Sequence, residues 1–238
     1  MNANPGEVAS RLAEIRDRIA AAERRARRAP GGVTLIGVVK TQPIAAIAEA
    51  VAQGLADLGE NRVQEAEQHQ RGVARDAARW HMIGHLQRNK VARALELFDV
   101  VHGVDDADLG AALAQRAARA GRVVPALVEV NVSGEASKFG VAPGALPELL
   151  EELAQLEGLE LRGLMTVGAP VAAPEAARAG FARLRALRDD GERRLGRPLP
   201  ELSMGMSGDF EVAVEEGATM VRVGTAIFGA RAVQGERG

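Results

Sequence analysis

A chain of 238 residues with 47% apolar and 26% charged side chains has enough apolar matter for one large core. A net charge of −2, an aromatic content of 3% and the absence of cysteine exclude a basic nucleic-acid footprint, base-stacking platforms, a disulfide framework, a thiolate nucleophile and Cys-ligated zinc. The first 30 residues are charged throughout and lack the apolar centre of a signal peptide, and no run approaches the ~18 apolar residues of a membrane span, so a soluble cytoplasmic protein is expected, with neither nucleic acid nor membrane as a partner.

The predicted elements begin with a helix over about 5–28, where Val8, Leu12, Ile15 and Ile19 recur at helical spacing among polar residues. "APGG" at 29–32 ends it. From 33 to about 231, short β-branched runs alternate with longer stretches rich in Ala, Leu, Glu and Arg. Strands are predicted over 33–39, 56–60, 79–84, 99–104, 125–132, 159–167, 201–205 and 220–226. Helical patterns lie between them, near 43–53, 61–75, 87–97, 106–120, 144–156, 174–195 and 208–216. Most of the strands are near-continuous apolar runs, as a parallel sheet buried on both faces requires. Eight β/α repeats without a separate block of strands predict an α/β fold: a single (β/α)8 TIM barrel with an extra N-terminal helix as a cap, the whole of 1–238 forming one domain. A doubly wound open sheet is the structural alternative, but no G-x-G-x-x-G follows the first strand, so its dinucleotide-binding version has lost its main sequence sign.

A barrel places its active face at the C-terminal ends of the strands. Polar and glycine residues collect there: Lys40; Glu60 and Asn61; Gly84 and His85; Asp105; Asn131 and Ser133; Thr166 and Gly168; Gly205 and Ser207; Gly224 and Thr225. Lys40 is one of only three lysines, with Lys90 and Lys138, among 30 basic residues. A lysine ending a buried strand is either a snorkelling surface residue or an amine directed into the mouth. In the second case partial desolvation lowers its pKa and makes it a nucleophile for an aldehyde. "SMGMSGD" (203–209), with Met204 and Ser207, and "RVGTAIFG" (222–229), with Gly224 and Thr225, follow strands seven and eight, where barrels often hold a phosphate on backbone N–H groups. An aldehyde with a phosphate tail is pyridoxal 5′-phosphate (PLP).

Arg222 lies inside the apolar last strand, which is costly unless the guanidinium is paired or faces the mouth. Against a pyridine nitrogen it would keep that nitrogen unprotonated and make PLP a poor electron sink. The alternative is an ion pair with Glu215 or Glu216. His81 and His85 have the i, i+4 spacing of a helical metal pair, but His81 falls in a strand and His85 after it, so the helical geometry does not apply and no metal is expected. Trp80 is expected to pack. Lys138, in "SGEASKFG" (133–140), is either solvent-exposed or a second amine near the mouth.

The segments "GVVKTQP", "DLGENRVQEAE", "WHMIGHLQRNK", "VHGVD", "VEVNVSGEASKFGV", "GLMTVG" and "LSMGMSGDFEVAVEEGATMVRVGTAIFGAR" together resemble the pyridoxal phosphate homeostasis protein family, the YggS/PROSC proteins, from about residue 33 to 231. The resemblance implies a barrel similar to the N-terminal domain of alanine racemase, with PLP held as a Schiff base on Lys40. It implies Ser207, Gly224 and Thr225 at the phosphate, Arg222 at the pyridine nitrogen and Asn61 near the ring, with Met204 in the phosphate-side loop counted among the cofactor-binding residues. It also implies a function in intracellular PLP homeostasis, by buffering PLP or delivering it to apo-enzymes, without strong catalytic turnover; the missing partner domain makes a monomer the expected state, with a dimer as the alternative. Where some members carry a second lysine two residues after the Schiff-base lysine, this chain has Gln42.

Racemisation needs an acid/base group on each face of the cofactor, and the alanine racemase family takes the second from a tyrosine of a partner's β domain. This chain has no tyrosine and no room for that domain. A PLP carrier is therefore the first expectation. A PLP-dependent racemase or lyase of modest activity using His81 or His85 is the second, and an aldolase-type barrel enzyme using Lys40 is the third.

Overall fold

The structure, a computed structural model, describes residues 6–135, 138–168 and 173–229. The first residue of the predicted N-terminal helix, the last two of the predicted barrel, and positions 136–137 of the 133–140 loop fall outside the described residues.

Eight strands form the barrel: β1 (Thr34–Val38), β2 (Asp57–Glu60), β3 (Arg79–Met82), β4 (Val100–Val104), β5 (Val124–Glu129), β6 (Leu159–Met165), β7 (Glu201–Ser203) and β8 (Met220–Val223). They pair in sequence order, all parallel, and β8 closes on β1 through Ile36 opposite Arg222. The helices are α1 (Glu7–Arg25), α2 (Ile44–Ala52), α3 (Val63–His69), α4 (Val91–Leu97), α5 (Ala107–Arg119), α6 (Leu146–Ala154), α7 (Arg178–Leu195), α8 (Phe210–Glu215) and α9 (Thr225–Phe228). The expected (β/α)8 barrel with an additional N-terminal helix is what the chain forms.

Side chains alternate across each strand. Leu58, Trp80, Met82, Val101, Leu202, Val221 and Val223 join the outer core between sheet and helices. Val100, Leu127 and Met165 make a second, smaller apolar cluster, and Asp57, His81, His102, Ser203 and Arg222 share the inward parity and are joined by hydrogen bonds. The barrel interior is therefore part apolar and part polar.

The apolar runs overestimate the strands at their C-terminal ends. The run 125–132 leaves the sheet after Glu129, and 159–167 leaves it after Met165, because the residues beyond turn into the loops of the rim. The helix predicted over 61–75 is only Val63–His69, and the pattern over 87–97 opens with a 3-10 turn at Arg88–Lys90. Helix α9 was not predicted: four residues are too few to show a period.

The N-terminal helix is part of the core. Val8, Leu12, Ile15, Ile19 and Ala22 are buried, and α1 packs on α2, α8 and α9. Its arginines then bind the same neighbours: Arg18 donates to Glu211 at 2.9 Å, Arg25 to Glu215 at 2.6 Å, and Arg28, just beyond the helix, to the Val214 and Ala218 carbonyls. Arg178 at the start of α7 completes this lattice, reaching Glu215 at 2.7 Å and Glu216 at 2.9 Å, while Arg185 reaches Glu216 at 2.9 Å. Leu12→Ala leaves a cavity in a fully buried site and is expected to cost about 2–5 kcal/mol in urea denaturation. A loss below about 0.5 kcal/mol would mark α1 as an appendage instead.

Candidate functional site

The rim at the C-terminal ends of the strands is built from short loops. Lys40 lies two residues past β1, half-buried, in a turn whose next residue, Thr41, has φ +62°, a region that β-branched side chains resist. Behind this turn Glu60, facing outward at the end of β2, sits 2.5 Å from Nδ1 of His69 on α3. Burial pushes the Glu60 carboxyl up, and it opposes charge on His69. Burial is the largest single influence on His69, but the hydrogen bond and charge of Glu60, the Gln42 backbone and the charge of Glu65 together raise the imidazole above its ordinary value. Gln42 belongs to the Lys40 loop, so this buried pair braces the segment that carries the lysine.

Asn61 follows β2 and is seated against Gly84, where a Cβ would come within 2.5 Å of the Asn61 carbonyl oxygen; only glycine permits that approach. A cleft of about 740 Å³ opens beside them, lined by Asn61, Arg62, Gly84, His85, Lys90 and Phe139 among others. His85 is exposed, lies 3.6 Å from the Asp105 carboxylate and stacks on Phe139 at 4.2 Å. Lys138 is less exposed than the solvent-facing alternative required: its side chain is 20% accessible and it pairs with Glu135 at 2.9 Å.

Arg222 is buried in the interior wall of the mouth, at 4% exposure. Its guanidinium donates to Ser203 Oγ at 2.6 Å and to the Thr166 carbonyl at 2.7 Å. Burial lowers its pKa to about 10, against the fields of Glu129 and Asp209, which raise it. The ion pair weighed for it with Glu215 or Glu216 does not form; those carboxylates are taken by Arg25, Arg178 and Arg185. Glu129 shares the mouth. Burial and the neighbouring Asp105 push its carboxyl up to about 7, with Arg222 opposing.

The loops after β7 and β8 meet at Ser207. Its hydroxyl oxygen accepts from the Gly224 N–H at 3.2 Å and the Ala226 N–H at 3.3 Å. Gly205 makes the turn possible: its φ is +91°, and a Cβ there would lie 2.5 Å from Ala213 Cβ. At Gly224 a Cβ would meet the Val38 carbonyl at 3.3 Å, so the loop runs close to the end of β1. Thr225 is exposed beside it. Met204 is fully buried in the outer core, and its N–H donates to the Met220 carbonyl, so its part is packing behind the loop.

Of the sequence-predicted residues, the rim thus brings together Lys40, Asn61, Ser207, Arg222, Gly224 and Thr225. His81 is not among them. It is fully buried inside the barrel, with Nδ1 2.9 Å from His102 and Nε2 2.9 Å from Asp57. Sequence reasoning missed His102, Ser203, Asp57, Glu129 and the Glu60–His69 pair. Polar residues at the inward parity of the apolar runs "RWHM", "VVHGV" and "ELS" were the available signal for the interior group. No cluster of potential metal ligands occurs among the described residues.

The site is thus a closed parallel barrel with a lysine after its first strand, a buried arginine on its last, and glycine, serine and threonine in the loops after β7 and β8. The family profile described as "Alanine racemase, N-terminal domain" matches residues 10–232. The chain is 46% identical over 224 residues to the Pyridoxal phosphate homeostasis protein of Pseudomonas aeruginosa, covering 94% of this chain and 96% of that one. It is 42% identical over 221 residues to the Aquifex aeolicus protein of the same name, covering 93% and 97%. The solved structure of PipY from Synechococcus elongatus with PLP bound aligns at a TM-score of 0.82 and 36% identity, covering 93% of this chain and 100% of that one. The chain belongs to the pyridoxal phosphate homeostasis protein family.

Glu129 gives a pH test. Its folded-state pKa of about 7 lies above the unfolded value of 4.5, so the folded protein binds more protons between those values and stability falls as pH rises through them. The total is about 3 kcal/mol at 1.36 kcal/mol per unit. Glu129→Gln is expected to flatten that slope in urea denaturation from pH 5 to 7.

Proposed function

We propose that this chain binds PLP at the C-terminal mouth of the barrel and acts in its intracellular buffering or delivery to apo-enzymes, as a single cytoplasmic domain and a monomer, without strong turnover. The observation that carries the reading is Arg222. It is a buried cation that spends two of its five N–H donors on neutral oxygens, which leaves donors for an acceptor such as a ring nitrogen. The rest of the rim fits the same ligand. Ser207 and Thr225 carry hydroxyls beside the Gly224 backbone, and Lys40, on the loop after the neighbouring strand β1, supplies an amine.

When bound, PLP supplies an aldehyde and an electron-accepting ring. The chain's own residues set how far that ring is used. Lys40 would hold the aldehyde carbon through its Nζ, the aldehyde oxygen leaving as water, and Asn61 would flank the ring. Arg222, held charged, disfavours a second positive charge on the ring nitrogen, so the ring is a weak electron sink. A proton donor on the second face is the missing part of a racemase. The chain has no tyrosine, and His81 is committed to Asp57 and His102 inside the barrel. His85 at the rim keeps a racemase or lyase of modest activity as the second reading, which turnover of D- or L-alanine tests.

Borohydride reduction of the PLP-loaded protein is expected to place a pyridoxyl mass on the peptide containing Lys40, and Lys40→Ala is expected to lose it. An adduct surviving at another lysine would move the anchor. Thr225→Val is expected to weaken PLP binding by about 1–3 kcal/mol in a spectroscopic titration, the worth of a hydrogen bond to a charged group. An unchanged titration would remove Thr225 from the site.

A further inference from the structure

Behind Arg222 the barrel interior contains a chain of four hydrogen-bond contacts. Arg222 Nη1 is 2.6 Å from Ser203 Oγ. Ser203 Oγ is 3.0 Å from His102 Nδ1. His102 Nε2 is 2.9 Å from His81 Nδ1, and His81 Nε2 is 2.9 Å from Asp57 Oδ1. Ser203 and both histidines are fully buried. Asp57 opens β2 at the other end of the barrel. Its side chain is 18% exposed and lines a cavity of about 330 Å³ under α1, together with Arg16 and Glu23.

The ends of this chain fix its direction. A guanidinium only donates, and an ionised carboxylate only accepts. Each neutral imidazole carries one N–H, and the serine carries one O–H. Suppose Ser203 accepted from both Arg222 and His102. His102 Nε2 would then need a proton from His81 Nδ1, and His81 Nε2 would turn a lone pair on the Asp57 carboxylate. With neutral rings, only one arrangement makes every contact a hydrogen bond: Arg222 to Ser203, Ser203 to His102, His102 to His81, His81 to Asp57. Both rings then carry their proton on Nε2. Burial lowers the pKa of both imidazoles, which is consistent with neutral rings.

We propose that Asp57, on the face of the barrel opposite the mouth, is a positioning residue for Arg222: it polarises a one-way hydrogen-bond chain through His81, His102 and Ser203 that presents a serine lone pair to the guanidinium. The orientation and charge that Arg222 offers its ligand are thereby set from the far side of the fold. The coupling to PLP rests on the function proposed above, whereas the direction of the chain does not.

The experiment has two readouts. In the protein without PLP, nitrogen-15 NMR of the imidazoles, assigned with single His→Gln variants of the chain's four histidines, is expected to show His81 and His102 protonated at Nε2 and bare at Nδ1. A proton on Nδ1 of either ring, or an imidazolium, overturns the direction. PLP titration is the second readout. Asp57→Ala is expected to mix the tautomers, weaken PLP binding about fivefold and shift the absorbance maximum of the bound form. Asp57→Asn, which keeps an acceptor oxygen, is expected to restore the tautomers and most of the affinity. Ser203→Ala, which cuts the chain next to Arg222, is expected to match Asp57→Ala in the titration and serves where Asp57→Ala fails to fold. If the unaltered protein takes up PLP and a folded Asp57→Ala or Ser203→Ala variant binds it with unchanged affinity and spectrum, the coupling is overturned. If the unaltered protein takes up no PLP, the proposed function fails while the tautomer result stands.

Discussion

A guanidinium buried inside the barrel sets the terms for what surrounds it. Moving a full charge out of water is costly unless acceptors meet it at once. Arg222 on β8 is met by Ser203 on the neighbouring strand and by the Thr166 carbonyl at the end of β6, with Glu129 and Asp209 supplying opposite charge nearby. Each of these has consequences of its own. Ser203, used as an acceptor by Arg222, keeps its own O–H, which in the proposed chain donates a hydrogen bond to His102. Glu129, buried and sharing its space with Asp105, has its carboxyl pushed up to about 7 even though the cation opposes the shift. A single charged residue in an aliphatic strand therefore explains why the interior of this barrel is only partly apolar.

The fold was legible because it depends on patterns that neighbouring residues carry together. Eight apolar runs and the helices between them are local facts, and a parallel sheet buried on both faces leaves few other architectures. The rim was legible for a similar reason: the residue after each strand of a barrel points to the same end. The interior network was not. His102 lies in "VVHGV" and Ser203 in "ELS", more than one hundred positions apart as the chain runs from β4 to β7, and closure of the barrel alone brings them within 3.0 Å. His81 shows the limit most clearly. Inside the strand-three run, it is weighed with His85 as an acid/base group at the mouth, but strand parity and the partner at Asp57 turn it into the barrel interior. Glu60 fails in the opposite sense. It ends β2 at the rim, yet it faces outward to His69 and braces the Lys40 loop from behind.

The division of labour in the site follows from this arrangement. On the proposed reading the phosphate side would be the Ser207 and Thr225 hydroxyls and the backbone of the loops after β7 and β8, shaped by the turn at Gly205. The ring side is made of charge, fixed by hydrogen bonds that run through the core. The lysine lies between them on a braced loop. On the proposed reading such a site would hold PLP in a defined pose, with Glu129 and His85 as further polar groups that share the rim.

The lattice that joins arginines on α1 and α7 to glutamates on and just after α8 also affects how the protein responds to heat. Of the 30 basic residues all but three are arginine, and each guanidinium can bind two carboxylates at once. Arg25, Arg178 and Arg185 share Glu215 and Glu216 in a network that flanks β7 and β8, the strands whose loops form the anion cradle. The hydration that ion pairs must give up becomes less favourable on warming, while the gain from burying aliphatic surface levels off. The flank that carries the anion cradle is therefore braced by contacts whose cost falls, rather than rises, as the temperature climbs.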